Sequence, residues 1–250
     1  MLNRLPKPVL FAHRGASVYA PENTMAAFHL AEQQGANAIE LDVKLSADGQ
    51  VVVIHDPMVD RTTDGTGRVS ALSLAALKEL DAGAFFSEQY RGERIPTLDD
   101  IFAVFGKRLF INVELSNYTT AGDNLVESVV ELVNRHGLHE WILFSSFFPW
   151  NLSKVARLLS DVPRGLLAPP GLLGSWSRSF GFAFGSYQAL HPHMKDVSPE
   201  QVQRVHRLKR RIHVWTVNAA HDIRSLMDWG VDGIMTDDPI LTSKILGRKA

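Results

Sequence analysis

The fold follows from two short stretches, Val9-Leu10-Phe11-Ala12-His13-Arg14-Gly15 and Ala38-Ile39-Glu40-Leu41-Asp42-Val43-Lys44. Each contains a run of strand length. Residues 24–34, which lie between them, carry apolar side chains at three- and four-residue spacing, as an amphipathic helix does. A strand, a helix and a second strand in that order indicate a parallel pair joined by a crossover helix.

The same alternation continues along the chain. Eight predicted strands, each followed by a helix or a long connection, favour a parallel α/β sheet. In a chain of 250 residues, such units close most economically as a (β/α)8 TIM barrel. An open doubly wound sheet is the alternative, but no Gly-x-Gly-x-x-Gly follows a strand to support it. The predicted strands are Val9–His13, Ala38–Lys44, Arg108–Leu115, Trp141–Ser145, Arg164–Ala168, Tyr187–His191, Arg211–Val217 and Gly233–Thr236.

One connection is too long for an ordinary barrel loop. Residues 56–96 separate the second strand unit from its helix at 98–105, and loops of that length usually have structure of their own. The segment contains the turn signal Asp64-Gly65-Thr66-Gly67 and a short helical pattern at residues 73–80. We therefore predict a single domain over residues 1–250, with a small insertion after the second strand at about 56–96.

Composition excludes several classes of protein. A hydrophobic fraction of 45% is that of a globular chain, and a net charge of −1 argues against a nucleic-acid-binding surface or a polybasic membrane anchor. The absence of cysteine excludes disulfides and thiolate metal sites, and fits a reducing compartment. No signal peptide and no membrane-spanning run is predicted. We expect a cytoplasmic protein with a small-molecule partner and no stable membrane insertion.

Acidic side chains share a face on two predicted strands. Residues two apart in a strand point the same way, which groups Glu40 with Asp42 and Lys44, and Glu114 with Ser116. If these faces point to the barrel mouth, three carboxylates converge where TIM barrels carry their active sites. Clustered carboxylates repel one another unless a cation lies among them, and oxygen ligands suit Mg²⁺ or Ca²⁺. The pattern predicts a site for one of these two ions.

Two histidines accompany the acids. His13 ends the first strand, and His55 follows a short predicted strand at residues 51–54. Histidine is the usual acid or base near neutral pH, so this pair is a candidate for proton transfer. His191, His193 and His213 are weaker candidates to line the same pocket.

Together these motifs resemble the glycerophosphodiester phosphodiesterase family over residues 9–240 or so. The pair His-Arg-Gly and His-Asp at this spacing is the strongest signal, and Thr236-Asp237-Asp238-Pro239 is a weaker one. The matching motifs are His13-Arg14-Gly15, Glu22-Asn23-Thr24, Glu40-Leu41-Asp42-Val43, Asp48-Gly49, His55-Asp56, Val113-Glu114-Leu115 and Trp215-Thr216-Val217-Asn218.

The resemblance implies an activity and roles for the matching residues. Members are metal-dependent TIM barrels that split a glycerophosphodiester into glycerol 3-phosphate and an alcohol. The roles implied here are metal ligation by Glu40, Asp42 and Glu114, acid–base catalysis by His13 and His55, phosphate contact by Arg14, packing against glycerol by Trp215, and support of the site by Glu22 and Asn23.

One position departs from the family pattern. Ser116 stands where members often have a lysine near the phosphate, and Lys44, on the same face as the acids, is the candidate to replace its charge. Three hypotheses follow: a glycerophosphodiester phosphodiesterase, a lysophospholipase D-like enzyme using the same site on a lipid, and a non-catalytic barrel that binds a phosphorylated ligand. The apolar stretch at residues 165–185 would suit the second.

Overall fold

The computed structural model describes residues 2–248, and within them parallel strands close into a TIM barrel. The first strand pairs with both the second and the last, which removes every free edge of the barrel. The predicted fold is therefore confirmed. The strands are β1 (Val9–His13), β2 (Ala38–Leu45), β3 (Val51–Val53), β4 (Phe110–Leu115), β5 (Ile142–Ser146), β6 (Arg164–Ala168), β7 (Ala189–Pro192), β8 (Arg211–Val214) and β9 (Gly233–Thr236).

Helices surround the barrel, and five of them begin at a residue whose side chain accepts a bond from a free backbone N–H. The helix after the insertion begins at a capping box, in which Thr97 and Asp100 each accept a bond from the other's backbone N–H. A later helix ends at Gly137, whose φ of 62° is left-handed. The helices are α1 (Met25–Gln33), α2 (Leu74–Glu79), α3 (Leu98–Phe105), α4 (Leu125–His136), α5 (Pro149–Leu158), α6 (Phe182–Phe184), α7 (Pro199–Arg207), α8 (Ala220–Asp228) and α9 (Pro239–Ile245).

Strand alternation divides the core into two layers. On β2, Ile39 and Leu41 belong to the large cluster that packs the barrel against its helices. Ala38, two residues before Glu40, belongs to a smaller cluster with Phe11 from β1. The face that carries Ala38, Glu40 and Asp42 therefore points into the barrel. The carboxylates lie further along it, towards the carboxyl end of the strand.

The insertion has a core of its own. The short strand β3 runs antiparallel to β2, and the segment after it continues to the start of α3. Ile54, Val59, Val69 and Leu77 form a third buried cluster with Ile95. This packing explains how a long connection holds a fixed shape beside the barrel mouth.

Five of the eight predicted strands have a boundary that differs by one to three residues from the observed one, and two of them show why. The strand predicted at residues 108–115 begins at Phe110, because Lys107 and Arg108 lie in an exposed turn after α3. The strand predicted at 211–217 ends at Val214. Beyond it the chain turns towards β9, where the Val217 N–H donates to the Met235 carbonyl.

Candidate active site

The three predicted acidic ligands meet at the carboxyl ends of two adjacent strands. Asp42 on β2 is paired in register with Glu114 on β4, and Glu40 with Asn112. One carboxylate oxygen from each of Glu40, Asp42 and Glu114 lies within 4.8 Å of the other two. Asn112 Oδ1 adds a further oxygen to the same surface, and among the described residues this buried atom has no hydrogen-bond partner. This group of three carboxylates is called the acidic cluster below.

Electrostatics sets the acidic cluster apart from ordinary surface acids. Burial, followed by the charge of Asp42, raises the pKa of Glu114 to about 8. Burial and the same neighbour raise the pKa of Glu40 well above its ordinary value. Burial opposes ionisation of Asp42 too, but the charges of Arg14 and His55 outweigh it and lower the pKa of Asp42. The residues fit a hard divalent cation, whose charge would let all three carboxylates ionise together.

Each predicted catalytic histidine has a carboxylate on its Nδ1 atom. His13 Nδ1 lies 2.6 Å from Asp237 Oδ1, and Asn218 donates to the other oxygen of that carboxylate at 2.6 Å. His55 Nδ1 lies 2.6 Å from Asp56 Oδ1. A carboxylate at Nδ1 fixes the orientation of the imidazole and leaves Nε2 for substrate.

Arg14 and Asn23 are held against the acidic cluster. Arg14 Nη1 donates to Glu22 at 2.9 Å, while Arg14 Nε lies 3.3 Å from Asp42 Oδ2. Asn23 Nδ2 donates to the same Asp42 oxygen at 3.1 Å. Both residues have positive φ, 57° for Arg14 and 59° for Asn23. A non-glycine residue in this region stores backbone strain, which structures retain mainly at functional sites.

A cavity of about 160 Å³ brings these groups to one surface. Trp215 forms one wall; its indole N–H donates to the His191 carbonyl at 2.8 Å, and Phe147 packs edge-on against its ring with centroids 5.7 Å apart. The lining combines both histidines with two members of the acidic cluster, Glu40 and Glu114, and an apolar wall. It consists of His13, Arg14, Glu40, His55, Asn112, Glu114, Phe147, Leu167, Trp215 and Met235.

Lys44 and Ser116 contact each other instead of the cavity. Lys44 Nζ donates to the Ser116 carbonyl at 2.6 Å and to its Oγ at 2.9 Å. Ser116 Oγ in turn donates to the Val43 carbonyl at 3.0 Å. Neither side chain is part of the cavity lining within residues 2–248. The Ser116 hydroxyl is therefore already occupied, and Lys44 fills the space beside it. A role of Lys44 in binding the substrate stays a prediction.

The remaining histidines lie outside the cavity in the part of the chain that is described. His191 and His213 are buried inside the barrel, where His191 Nε2 lies 3.1 Å from His213 Nδ1. Burial lowers the pKa of His191 to about 3 and that of His213 well below its ordinary value. His193 packs edge-on against Trp215, with ring centroids 5.0 Å apart. His191 and His193 contact Trp215 and so support the wall of the cavity without lining it, whereas His213 contacts His191 behind that wall.

Three supporting residues were given no role by sequence analysis. Asp237 lay in a motif that was noted only as a weak match, and Arg61 in the insertion bonds both Glu22 and Asp56. The Tyr118 hydroxyl donates to Glu114 Oε1 at 2.9 Å. No local pattern marks Tyr118, because its position depends on the path of the loop after β4.

The site has the layout of a metal-assisted hydrolase. It lies at the carboxyl ends of TIM-barrel strands and combines an acidic cluster with two histidines, each oriented by a carboxylate. Comparison with known proteins narrows this class. The model of the glycerophosphoryl diester phosphodiesterase family matches residues 13–241. The chain belongs to that family. The motif-based identification, and with it the class of phosphoric diester hydrolase, is confirmed.

Individual relatives match over nearly their whole length. A glycerophosphodiester phosphodiesterase of Caldanaerobacter subterraneus subsp. tengcongensis is 38% identical over 234 residues, which cover 93% of this chain and 95% of the relative. One from Bacillus subtilis is 33% identical over 248 residues, covering 94% and 85%. Among solved structures, an Oleispira antarctica phosphodiesterase in complex with the product sn-glycerol-3-phosphate is 31% identical, with a TM-score of 0.88 and 98% of both chains covered.

No helix within residues 2–248 is long and apolar enough to cross a membrane.

Proposed function

We propose that this protein hydrolyses glycerophosphodiesters to glycerol 3-phosphate and an alcohol at the cavity described above. The observation that carries the proposal is that His13 and His55, each with a carboxylate on Nδ1, line one cavity together with Arg14 and two members of the acidic cluster. The complex of the Oleispira antarctica relative with sn-glycerol-3-phosphate supports the identity of the product.

Charge is the main obstacle to cleaving a phosphodiester, because the anion repels an incoming nucleophile. A Mg²⁺ or Ca²⁺ ion, held by Glu40, Asp42 and Glu114, would neutralise part of that charge when bound. Arg14 supplies a second positive charge, which is fixed by Glu22 and by Asp42 on the wall of the cavity.

The two histidines divide the proton transfers between them. In the proposed mechanism one imidazole accepts at Nε2 the proton of the glycerol hydroxyl that attacks phosphorus, and the other donates a proton to the leaving alcohol. Water then opens the resulting cyclic phosphate to glycerol 3-phosphate. Asp237 and Asp56 keep the rings oriented and stabilise whichever ring is protonated. Trp215 offers an apolar face against which the glycerol carbons pack.

An assay of product release tests this function. Purified protein, stripped of metal, is given a panel of glycerophosphodiesters with Mg²⁺, Ca²⁺ or EDTA, and glycerol 3-phosphate is measured with a coupled enzyme. We expect turnover with a divalent cation and none in EDTA. Full activity after exhaustive metal removal would refute the metal requirement. Tight binding of glycerophosphocholine without any turnover would favour the non-catalytic barrel.

A lysophospholipase D-like activity is the second candidate, and one observation favours it. The segment after β6 exposes large apolar side chains: Leu172 is 92% exposed, Leu173 87% and Phe184 85%. These could receive an acyl chain that leaves the cavity mouth. Comparing kcat/KM for lysophosphatidylcholine and glycerophosphocholine decides between the two substrates, because only the lipid has an acyl chain that would contact this surface.

The cytoplasmic location expected from the sequence stays a prediction. Cell fractionation followed by immunodetection of the native protein would test it.

A further inference from the structure

Arg61, a residue of the insertion, uses all three nitrogens of its guanidinium group on two carboxylates. Nη1 and Nη2 donate to the two oxygens of Glu22 at 2.7 and 2.8 Å. Nε donates to Asp56 Oδ2 at 2.6 Å. The arginine therefore joins the loop after β1 to the segment after β3.

Each of these two carboxylates also bonds a residue that lines the cavity. Glu22 Oε1, which accepts from Arg61, also accepts from Arg14 Nη1 at 2.9 Å. Asp56 holds Arg61 with one oxygen and His55 Nδ1 with the other, at 2.6 Å each. Arg14 and His55 line the cavity. We propose that Arg61 is a positioning residue, which fixes His55 through Asp56 and Arg14 through Glu22.

This inference rests on the proposed function, because it assigns Arg61 to the machinery of that same site. In this network the Arg61 cation bonds the Glu22 and Asp56 carboxylates, and Glu22 also bonds the Arg14 cation. Each of these charges is therefore stabilised by an opposite charge beside it. Burial opposes ionisation of Glu22, but bonds from Arg61 and Arg14 outweigh it and lower the pKa of Glu22. The bond from Arg61 lowers the pKa of Asp56 to about 2. Both carboxylates therefore remain acceptors throughout the neutral range.

A purely structural role fits Arg61 less well. Its side chain is 46% exposed, and exposed ion pairs contribute little to stability. The insertion has its own apolar core, and Arg61 is not one of the buried residues that form it. Loss of Arg61 should therefore affect the position of two cavity residues more than the stability of the fold.

Arginine is also the only side chain suited to this place. Its planar fork can bind one carboxylate with two nitrogens while Nε binds another. A lysine has a single nitrogen at the end of a flexible chain, so it can approach both carboxylates without fixing their planes. Arg61→Lys keeps the charge and loses the geometry, which separates the two contributions.

The test compares Arg61→Gln and Arg61→Lys with a matched control, Arg91→Gln. Arg91 lies in the same insertion and donates to both oxygens of Glu88 at 2.6 and 2.7 Å, but within residues 2–248 it does not line the cavity. We expect Arg61→Gln to lower kcat roughly 10–100-fold, the range for partners that orient a functional ligand. Arg61→Lys should recover part of this loss, and Arg91→Gln should leave kcat and KM unchanged.

Three further measurements separate positioning from mere stability. The thermal midpoint of Arg61→Gln should stay close to that of the wild type. A low concentration of guanidinium should partly restore Arg61→Ala by filling the vacated position. Combining Arg61→Gln with Glu22→Gln should cost less than the product of the two single losses, because the residues act through one network.

Two readouts do not depend on turnover. The NMR signal of the hydrogen-bonded His55 Nδ1 proton should broaden or shift in Arg61→Gln and stay unchanged in Arg91→Gln. Affinity for glycerol 3-phosphate, measured by calorimetry, should fall in Arg61→Gln because Arg14 loses its fixed orientation. If the wild type cleaves no phosphodiester, the proposed function fails, and these two readouts still decide the role of Arg61. An unchanged His55 signal, or a kcat of Arg61→Gln within twofold of the wild type, would overturn the proposal.

Discussion

Glu114→Gln is the sharpest test of the acidic cluster, because it predicts opposite effects with and without metal. The change removes one charge and keeps an oxygen that can accept the hydrogen bond from Tyr118. In the metal-free protein the lost charge was repulsive, since the oxygens of Glu114 and Asp42 lie within 4.8 Å. We therefore expect the metal-free variant to be more stable than the wild type.

The magnitude follows from the distance. Two unit charges at that separation repel by roughly 3 kcal/mol at an effective dielectric constant near 20. The positive charge of Arg14 beside Asp42 offsets part of this repulsion, so we expect a gain of about 2 kcal/mol. For a domain of this size, that raises the thermal midpoint by about 4–8 °C.

The pH dependence has a definite sign. The pKa of Glu114 is raised to about 8 from an ordinary value of 4.5, so the folded protein keeps this proton where the unfolded chain has lost it. Stability of the wild type therefore falls as pH rises from 4.5 through about 8. Glu114→Gln lacks this loss. Its advantage should be full above pH 8 and should vanish near pH 5.

Thermal unfolding in EDTA, followed by circular dichroism at pH 5 and above pH 8, measures the effect. Glu131→Gln is the control, because Glu131 is an exposed acid on α4 whose loss should change stability by less than about 0.5 kcal/mol. Saturating Mg²⁺ or Ca²⁺ should raise the midpoint of the wild type far more than that of Glu114→Gln. An equal rise in both proteins, or a variant that is less stable in EDTA at high pH, would show that Glu114 is not a ligand in a repulsive cluster.

Substitutions at four other positions test His13, His55 and Trp215 in the cavity and Ser116 outside its lining. His13→Ala and His55→Ala should each lower kcat by roughly 10²–10⁴, and the double variant should lose less than the product; near-normal kcat with a lowered thermal midpoint would instead indicate a structural role. Ser116→Lys should lower kcat/KM for glycerophosphocholine, because the new cation meets Lys44 Nζ; a lower KM would contradict this. Trp215→Ala should raise KM up to roughly tenfold, the equivalent of about 1.4 kcal/mol of aromatic packing, whereas Trp215→Phe should retain most of the affinity.

The strands and the acidic cluster could be predicted because both depend on local periodicity. Buried parallel strands appear as short apolar runs, and Glu40, Asp42 and Glu114 share faces by the two-residue repeat alone. Pairing of Asp42 with Glu114 then follows from placing β2 beside β4 in the barrel. The organisation as a single domain over residues 1–250 and the roles of the site residues remain predictions.

Contacts made by loops could not be predicted in the same way. Ser116 was expected to continue the inward face of its strand, but the strand ends at Leu115 and the serine is held by Lys44 and Val43. Tyr118, three residues beyond the strand end, contacts Glu114 only because the loop turns back on it. The two-residue repeat of a strand does not apply beyond its last residue, so such contacts can be identified only in the folded structure.

The two histidines depend on different parts of the fold for their orientation. Asp237, which orients His13, lies 224 residues away in sequence, immediately after β9, so His13 acquires this partner only when the barrel closes. Asp56 is adjacent to His55 and owes its fixed position to Arg61 in the insertion. Loosening the insertion should therefore disturb His55 and leave the His13–Asp237 pair intact. The barrel alone would then supply one oriented histidine, and the insertion completes the pair.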